Sequence, residues 1–158
     1  MSHSAAGASR FFRSFCELEY MEAPMKPDDE LRKAAFAAME NAYAPYSRFR
    51  VGAAIRTSSG EIVTGCNVEN AVYGEALCAE RVAVSAAVAR GMRQFEEIAI
   101  ASESDDPAPP CGSCRQTMSE FAPDLRVTGY SRNGKRVDWR LSDLLPEAFA
   151  LNHLRGKE

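Results

Sequence analysis

Two short segments, Cys78-Ala79-Glu80 and Pro110-Cys111-Gly112-Ser113-Cys114, restrict the possible folds of this chain more than its composition does. The residues that follow each segment predict a helix, so both segments are expected at helix starts. There, free N–H groups and the positive end of the helix dipole lower a cysteine pKa and favour the metal-binding thiolate. Two helices that begin at one point would bring three thiolates together. Three protein ligands leave the fourth tetrahedral position of zinc open, which is typical of a catalytic site.

Glu80 lies two residues after Cys78 and is a candidate proton shuttle rather than a fourth ligand. A carboxylate beside a metal site can accept a proton from water and later deliver it to a leaving group. Taken alone, Cys111 and Cys114 fit a structural zinc knuckle or a redox pair equally well. Neither alternative accounts for the cysteine and glutamate at the start of the other helix, so we favour catalytic zinc.

The charge balance and the apolar pattern narrow the classes of function. The chain has 19 Lys and Arg and 22 Asp and Glu, a net charge of −3, so no basic excess indicates a nucleic-acid or anionic-membrane partner. No run approaches the ~20 apolar residues of a membrane-spanning helix. No secretory signal pattern follows Arg10 or Arg13. We therefore predict a cytoplasmic protein with no membrane or nucleic-acid partner, in whose reducing surroundings clustered cysteines bind metal.

The length of 158 residues predicts one domain. Residues 1–25 are interpreted as an N-terminal extension that is disordered or loosely packed. Met21 and Met25 are alternative translation starts that would shorten it. Residues 26–158 then form the predicted catalytic domain.

Apolar periodicity and turn residues predict alternating helices and strands in that domain. The predicted helices cover residues 27–43, 78–90, 111–121 and 141–145, and the predicted strands cover residues 49–57, 61–66, 97–101, 125–130 and 136–139. Ser58-Ser59-Gly60 and Asn133-Gly134 are turn signals between strands. Strands interleaved with helices predict a layered α/β domain with a mixed sheet.

Five stretches resemble the small, single-domain, homotetrameric cytidine deaminases. They are YAPYSRFRVGAA at residues 43–54, GCNVENA at 65–71, CAER at 78–81, PCGSCRQ at 110–116 and LLPEAF at 144–149. The resemblance implies a three-layer α/β/α fold with a mixed five-stranded sheet, a bound Zn²⁺ and a homotetramer. It also implies hydrolysis of cytidine and 2′-deoxycytidine to uridine and 2′-deoxyuridine plus ammonia, in pyrimidine salvage.

The resemblance implies roles for the residues around the metal. Cys78, Cys111 and Cys114 would bind zinc, and Glu80 would move protons to the pyrimidine ring and the leaving amine. Arg81 would donate hydrogen bonds to a zinc-bound sulfur.

The resemblance also implies substrate contacts. Phe49 would stack on the pyrimidine, Asn67 and Glu69 would bind the ribose near its 3′-hydroxyl, and the Ala79 backbone would contact the polar edge of the base. Phe149 would reach the active site of a neighbouring subunit. The local pattern alone favours ordinary roles for these residues, as core aromatics or as polar groups that turn the chain.

Two other functions remain open from the sequence. The first is a zinc deaminase of another aminopyrimidine, such as a nucleoside antibiotic or a base in nucleic acid; Asn67 and Glu69 favour a free nucleoside instead. The second is a non-catalytic zinc-binding module, which has no need of Glu80. Glu75 departs from the small or apolar residue found there in many cytidine deaminases, and we expect it to face solvent or form an intersubunit ion pair rather than alter the preferred substrate.

Overall fold

A mixed five-stranded sheet forms the centre of the protein, whose computed structural model describes residues 27–150. The strands are β1 (Val51–Thr57), β2 (Ile62–Cys66), β3 (Phe95–Ser102), β4 (Arg126–Ser131) and β5 (Arg136–Arg140). Their spatial order is β2-β1-β3-β4-β5; β3 and β4 are parallel, and the other neighbouring pairs are antiparallel. The predicted mixed sheet is confirmed. The predicted extension, residues 1–25, lies outside the described residues.

Helices cover both faces of this sheet. They are α1 (Pro27–Met39), α2 (Ala79–Ala89), α3 (Gly112–Ser119) and the single-turn α4 (Leu141–Leu144). Successive side chains of a strand point to opposite faces. Ala54 and Ala99 therefore pack with α1, whereas Ile55 and Ile98 pack with α2 and α3 on the other face. The three-layer α/β/α fold is confirmed.

One edge of the sheet gathers the segments that lead into both cysteine-bearing helices. Val51 at the start of β1 pairs with Ser102 at the end of β3, and Gly52 pairs with Cys66 at the end of β2. The chain thus leaves β2 towards α2, and β3 towards α3, at the same edge. Strand register therefore brings the two helix starts together.

The first turns of α2 pack directly on β2 at Gly65. An ideally placed Cβ on Gly65 would lie 2.4 Å from the nitrogen of Ala83 and 2.5 Å from the oxygen of Ala79. We expect Gly65→Ala to lower the free energy of unfolding by about 1–3 kcal/mol through overpacking, measured by denaturant-induced unfolding. Gly74→Ala is the matched control, because nothing lies within 4 Å of a Cβ there. Its effect should stay below about 0.5 kcal/mol; equal losses in both variants would contradict the packing argument.

Two predicted boundaries around the start of β1 are wrong. The helix α1 ends at Met39 rather than near Tyr43, because the N–H of Tyr43 donates instead to the carbonyl of Asn67, at 3.0 Å. The strand β1 begins at Val51 rather than Phe49. In both cases a contact distant in sequence takes over backbone groups that the local pattern assigned to a helix or a strand.

The strand β3 begins at Phe95, two residues before the predicted start. Glu97, the first residue of the predicted strand, is only 7% exposed. Glu97 forms ion pairs of 2.9 Å with Arg56 of β1 and Arg126 of β4. These partners make burial of its carboxylate tolerable. Within residues 27–150, no helix has the length and apolar character needed to cross a membrane.

Candidate active site

The three cysteines of the two predicted segments converge. The Sγ of Cys111 lies 3.9 Å from that of Cys78 and 3.4 Å from that of Cys114, and all three sulfurs lie within 4.8 Å of one another. Tetrahedral Zn–S bonds of about 2.3 Å require sulfur separations of about 3.8 Å. The donor set and its spacing therefore fit Zn²⁺ with three thiolate ligands and an open fourth position.

Two helix starts hold these sulfurs, as predicted. Cys78 is the N-cap residue of α2 and Cys111 is that of α3, each with an extended backbone. Cys114 lies in the first turn of α3 and is fully buried. The free N–H groups and positive dipole ends of both helices stabilise negative charge at this point.

The pKa values of two of the thiols are displaced in opposite directions. The pKa of Cys78 is lowered to about 5, chiefly because its thiolate accepts a hydrogen bond from Cys114, with further contributions from Cys111 and Arg81. The pKa of Cys114 is raised, first by that same hydrogen bond and then by burial. Cys78 is therefore a thiolate at neutral pH, and Cys114 must lose its proton when a metal binds.

Glu80 supplies a buried carboxyl beside the cluster. It is 5% exposed, and burial raises its pKa. The negative charge of Cys78 raises the pKa further, and the carboxyl also interacts with the Cys114 thiol. A carboxyl whose pKa is raised towards neutrality can both accept and deliver a proton.

Arg81 faces the cluster from the first turn of α2. Its guanidinium donates to the carbonyl of Ala76 at 2.7 Å and helps to lower the pKa of Cys78. Its Nε is buried and, among residues 27–150, has no hydrogen-bond partner. A buried N–H without an acceptor is costly. A zinc-bound thiolate would supply that acceptor, and the guanidinium would offset the net charge of −1 that three thiolates leave on Zn²⁺.

Residues 67–69 connect the cluster to a second group of predicted site residues. Val68 forms an antiparallel bridge with Leu77 on one side and a parallel bridge with Tyr43 on the other. Leu77 directly precedes Cys78 in the sequence. The loop before β1 and the start of α2 are thereby fixed relative to each other.

The side chain of Asn67 holds the backbone on both sides of Arg50. Its Oδ1 accepts the N–H of Val51 at 2.8 Å, and its Nδ2 donates to the carbonyl of Phe49 at 2.9 Å. Arg48, just before Phe49, has a φ of 56°, a conformation uncommon for a residue with a side chain. Phe49 is 38% exposed and is presented from a held loop, so its interpretation as a core residue on pattern alone is wrong.

Glu69 fixes the same loop at its turn. Its Oε2 accepts the N–H groups of Tyr46 at 2.9 Å and Ser47 at 3.2 Å. The pKa of Glu69 is lowered, chiefly by a hydrogen bond from the Ser47 side chain and also by these two N–H groups. Glu69 is therefore an ionised acceptor beside Phe49.

Phe149 lies elsewhere, against the second half of its own α3. Phe149 is 59% exposed, while its peptide N–H and C=O pair with the side chain of Gln116. The adjacent Arg115 donates to the carbonyls of Pro110 and Leu144, each at 2.8 Å. No local sequence pattern assigns a role to Arg115 or Gln116, because their partners are identifiable only in the folded chain.

Three further residues lie outside the cysteine cluster. Tyr73 is 76% exposed and packs edge-to-face on Tyr46, with ring centroids 6.0 Å apart. Glu75 is exposed at the end of a short 3₁₀ helix over residues 73–75, which the pattern did not predict. Cys66, at the end of β2, is half-buried.

Comparison with known proteins identifies related chains. The family model for the cytidine and deoxycytidylate deaminase zinc-binding region matches residues 25–129. A cytidine deaminase of Halalkalibacterium halodurans is 45% identical over 120 residues, which cover 75% of this chain and 91% of that protein. The crystal structure of cytidine deaminase from Burkholderia pseudomallei is similar with a TM-score of 0.75 and 48% identity, over 77% of this chain and 98% of that chain. The blasticidin-S deaminase of Bacillus cereus is 34% identical over 114 residues, which cover 67% of this chain and 81% of that protein.

Proposed function

The chain belongs to the cytidine and deoxycytidylate deaminase family, and we propose that it hydrolyses cytidine and 2′-deoxycytidine to uridine and 2′-deoxyuridine plus ammonia. The observation that carries this proposal is the buried carboxyl of Glu80 against three convergent thiols. A structural zinc site needs the thiols but not the carboxyl. The intact Glu80 therefore favours an enzyme over a non-catalytic zinc-binding module.

The cofactor is Zn²⁺, and we assign its three protein ligands to Cys78, Cys111 and Cys114. When bound, zinc supplies the Lewis acidity that makes water a nucleophile near neutral pH. The two helix starts and the Arg81 guanidinium balance the charge of the thiolates.

Glu80 performs the proton transfers. The reaction replaces the amine on C4 of the pyrimidine with the oxygen of water, so protons must move from water to N3 and to the departing amine. Glu80 accepts and then delivers them, which a carboxyl of raised pKa does efficiently. Its burial also keeps bulk water from competing for these protons.

The loop held by Asn67 and Glu69 forms the nucleoside pocket. Phe49 offers an exposed ring on which the pyrimidine stacks. Asn67 and Glu69 bind the ribose near its 3′-hydroxyl, and the Ala79 backbone contacts the base next to the metal. The bridge between Val68 and Leu77 supports this assignment, since it ties the ribose-binding segment to the residue before Cys78.

Glu69→Gln separates ribose binding from the support of the loop. The amide oxygen of glutamine still accepts the N–H groups of Tyr46 and Ser47, so the loop keeps its tether. The negative charge that Glu69 presents to the ribose hydroxyl is lost, and we expect KM for cytidine to rise about tenfold, ~1.4 kcal/mol, with little change in kcat. Steady-state kinetics test this, with Glu96→Gln, an exposed change on β3, as the control. An unchanged KM would remove Glu69 from the ribose site.

We also propose that the enzyme is a cytoplasmic homotetramer in which Phe149 completes the site of a neighbouring subunit. Its large exposed ring and fixed backbone support this role. The free thiols of the zinc site need reducing surroundings, which supports the cytoplasm. The substrate is a free nucleoside in pyrimidine salvage; nucleic acid and membrane have no part in it.

A different aminopyrimidine nucleoside is the second candidate substrate. The 34% identity to a blasticidin-S deaminase favours it, whereas the cytidine deaminases are more similar to this chain. The exposed Glu75 is the first residue to substitute if this candidate is correct.

The test of function is the loss of ultraviolet absorbance when zinc-loaded protein is mixed with cytidine. Deoxycytidine, cytosine, CMP and blasticidin S are run beside it. We expect turnover of the two free nucleosides alone. Turnover of blasticidin S without that of cytidine would support the second candidate, and no turnover of any compound by protein that carries one zinc per chain would refute the proposed function.

A further inference from the structure

The side-chain amide of Gln116 pairs with the peptide of Phe149, 33 residues away. Its Nε2 donates to the carbonyl of Phe149 at 2.7 Å, and its Oε1 accepts the N–H of Phe149 at 3.2 Å. A primary amide that meets a peptide in this way copies the two-point pairing of neighbouring strands. This pairing fixes the backbone of Phe149 through its peptide N–H and C=O groups.

The adjacent side chain on α3 holds the other end of the same segment. Arg115 donates from its guanidinium to the carbonyl of Leu144, and from its Nε to the carbonyl of Pro110, directly before Cys111. Arg115 is therefore tied to the residue before Cys111, whereas the side chain of Gln116 pairs with the peptide of Phe149. Together they anchor residues 144–149 to the helix that begins at a zinc ligand.

This anchoring gives Phe149 an unusual combination of properties. The residue is 59% exposed, although its peptide is held at two points. An exposed aromatic on a loose segment must be ordered when it binds, which costs conformational entropy of both its side chain and its backbone. Because the backbone of Phe149 is already fixed, the residue loses less conformational entropy when its ring binds.

We propose that Gln116 is a positioning residue that aims Phe149 at the active site of a second copy of this chain. The inference rests on the proposed function and adds the residue that makes the intersubunit contact effective. Gln116 acts on the neighbour's substrate binding through Phe149, and leaves the zinc and proton chemistry of its own subunit unchanged.

Gln116→Met tests this, because methionine is of similar size and forms neither hydrogen bond. We expect KM for cytidine to rise about tenfold, ~1.4 kcal/mol, with kcat within about twofold, because binding is lost equally in the ground and transition states. Zinc content should stay at one per chain. Thr117→Val is the matched control on the same helix, since the Thr117 hydroxyl bonds only within α3, to the carbonyl of Ser113. If Gln116→Met instead lowered kcat and lost zinc, the proposal would be wrong, and Gln116 would support the helix that carries Cys111 and Cys114.

Mixed oligomers show whether Gln116 acts on the neighbouring subunit. Gln116→Met chains are co-assembled with an excess of Glu80→Gln chains, which have no proton shuttle but keep Gln116 and Phe149. Each active site then receives Phe149 from a Glu80→Gln neighbour, and we expect its KM to return to within about twofold of the wild-type value. Phe149→Ala chains treated in the same way should be rescued equally.

The outcomes separate this inference from the proposed function. Rescue of Phe149→Ala without rescue of Gln116→Met would overturn the role of Gln116 and leave the intersubunit role of Phe149 intact. Rescue of neither variant would overturn both roles while deamination by the wild-type enzyme stands. Only wild-type protein without turnover would refute the proposed function itself.

Discussion

Glu80→Gln protein will fold and bind one zinc per chain, but its kcat for cytidine will fall by roughly 10²–10⁴-fold. Glutamine has the size of glutamate and can still form hydrogen bonds at the buried position, so the pocket keeps its shape. It cannot accept a proton from water or deliver one to N3 and the amine. The loss should appear in kcat and kcat/KM alike, because the interaction is made only during the chemical step.

The matched control for this variant is a second buried glutamate. Glu97 is 7% exposed on β3 and pairs with Arg56 and Arg126, away from the cysteines. Glu97→Gln weakens those ion pairs, so it should lower the unfolding temperature while kcat stays within about twofold. If Glu80→Gln kept the wild-type kcat with a full complement of zinc, the proposed proton shuttle would be wrong.

Cys114→Ser will lose zinc and, with it, deamination. A serine hydroxyl is a far weaker zinc ligand than a thiolate, and the fully buried position leaves no room for another side chain to replace it. We expect zinc per chain to fall close to zero and kcat/KM for cytidine to fall at least about a thousandfold, ~4 kcal/mol in activation free energy. Elemental analysis of the dialysed protein and the ultraviolet assay measure the two losses.

Cys66→Ser is the control for that substitution, because Cys66 is half-buried at the end of β2 and does not belong to the sulfur cluster. It should keep its zinc and its activity. Removal of zinc from the wild-type protein with a chelator should reproduce the Cys114→Ser result, and added zinc should restore the activity of the wild-type protein alone. A Cys114→Ser protein with full zinc and full turnover would show that the ligand set is wrong.

The metal cluster was predictable because its geometry is largely local. Cys111 and Cys114 lie at an N-cap and in the first turn of the same helix, so their separation follows from the backbone conformation. Cys78 and Glu80 have the same relation to α2. The sequence did not show that the two helix starts meet. They meet because β2 and β3 end at the same edge of the sheet.

The proposed substrate roles of Phe49, Asn67 and Glu69 were predicted only through resemblance. The side chain of Asn67 forms hydrogen bonds with the backbone of Phe49 and of Val51, 18 and 16 residues away. No periodic pattern in the sequence predicts such a contact. The predicted start of β1 at Phe49 was wrong for the same reason, a contact with a segment distant in the sequence. An apolar residue before a strand continues the strand unless another segment takes over its backbone groups.

Residue type and short-range spacing predicted the mixed sheet and three thiols near Glu80, and the resemblance to the cytidine deaminases predicted the class of chemistry. The fold was needed for the rest: the buried ion pairs of Glu97, the support of Phe49 by Asn67, and the pairing of Gln116 with Phe149. Each of those contacts joins segments that are far apart in the chain. Such segments meet only after strand register and helix packing have placed them, so their partners cannot be identified from neighbouring residues.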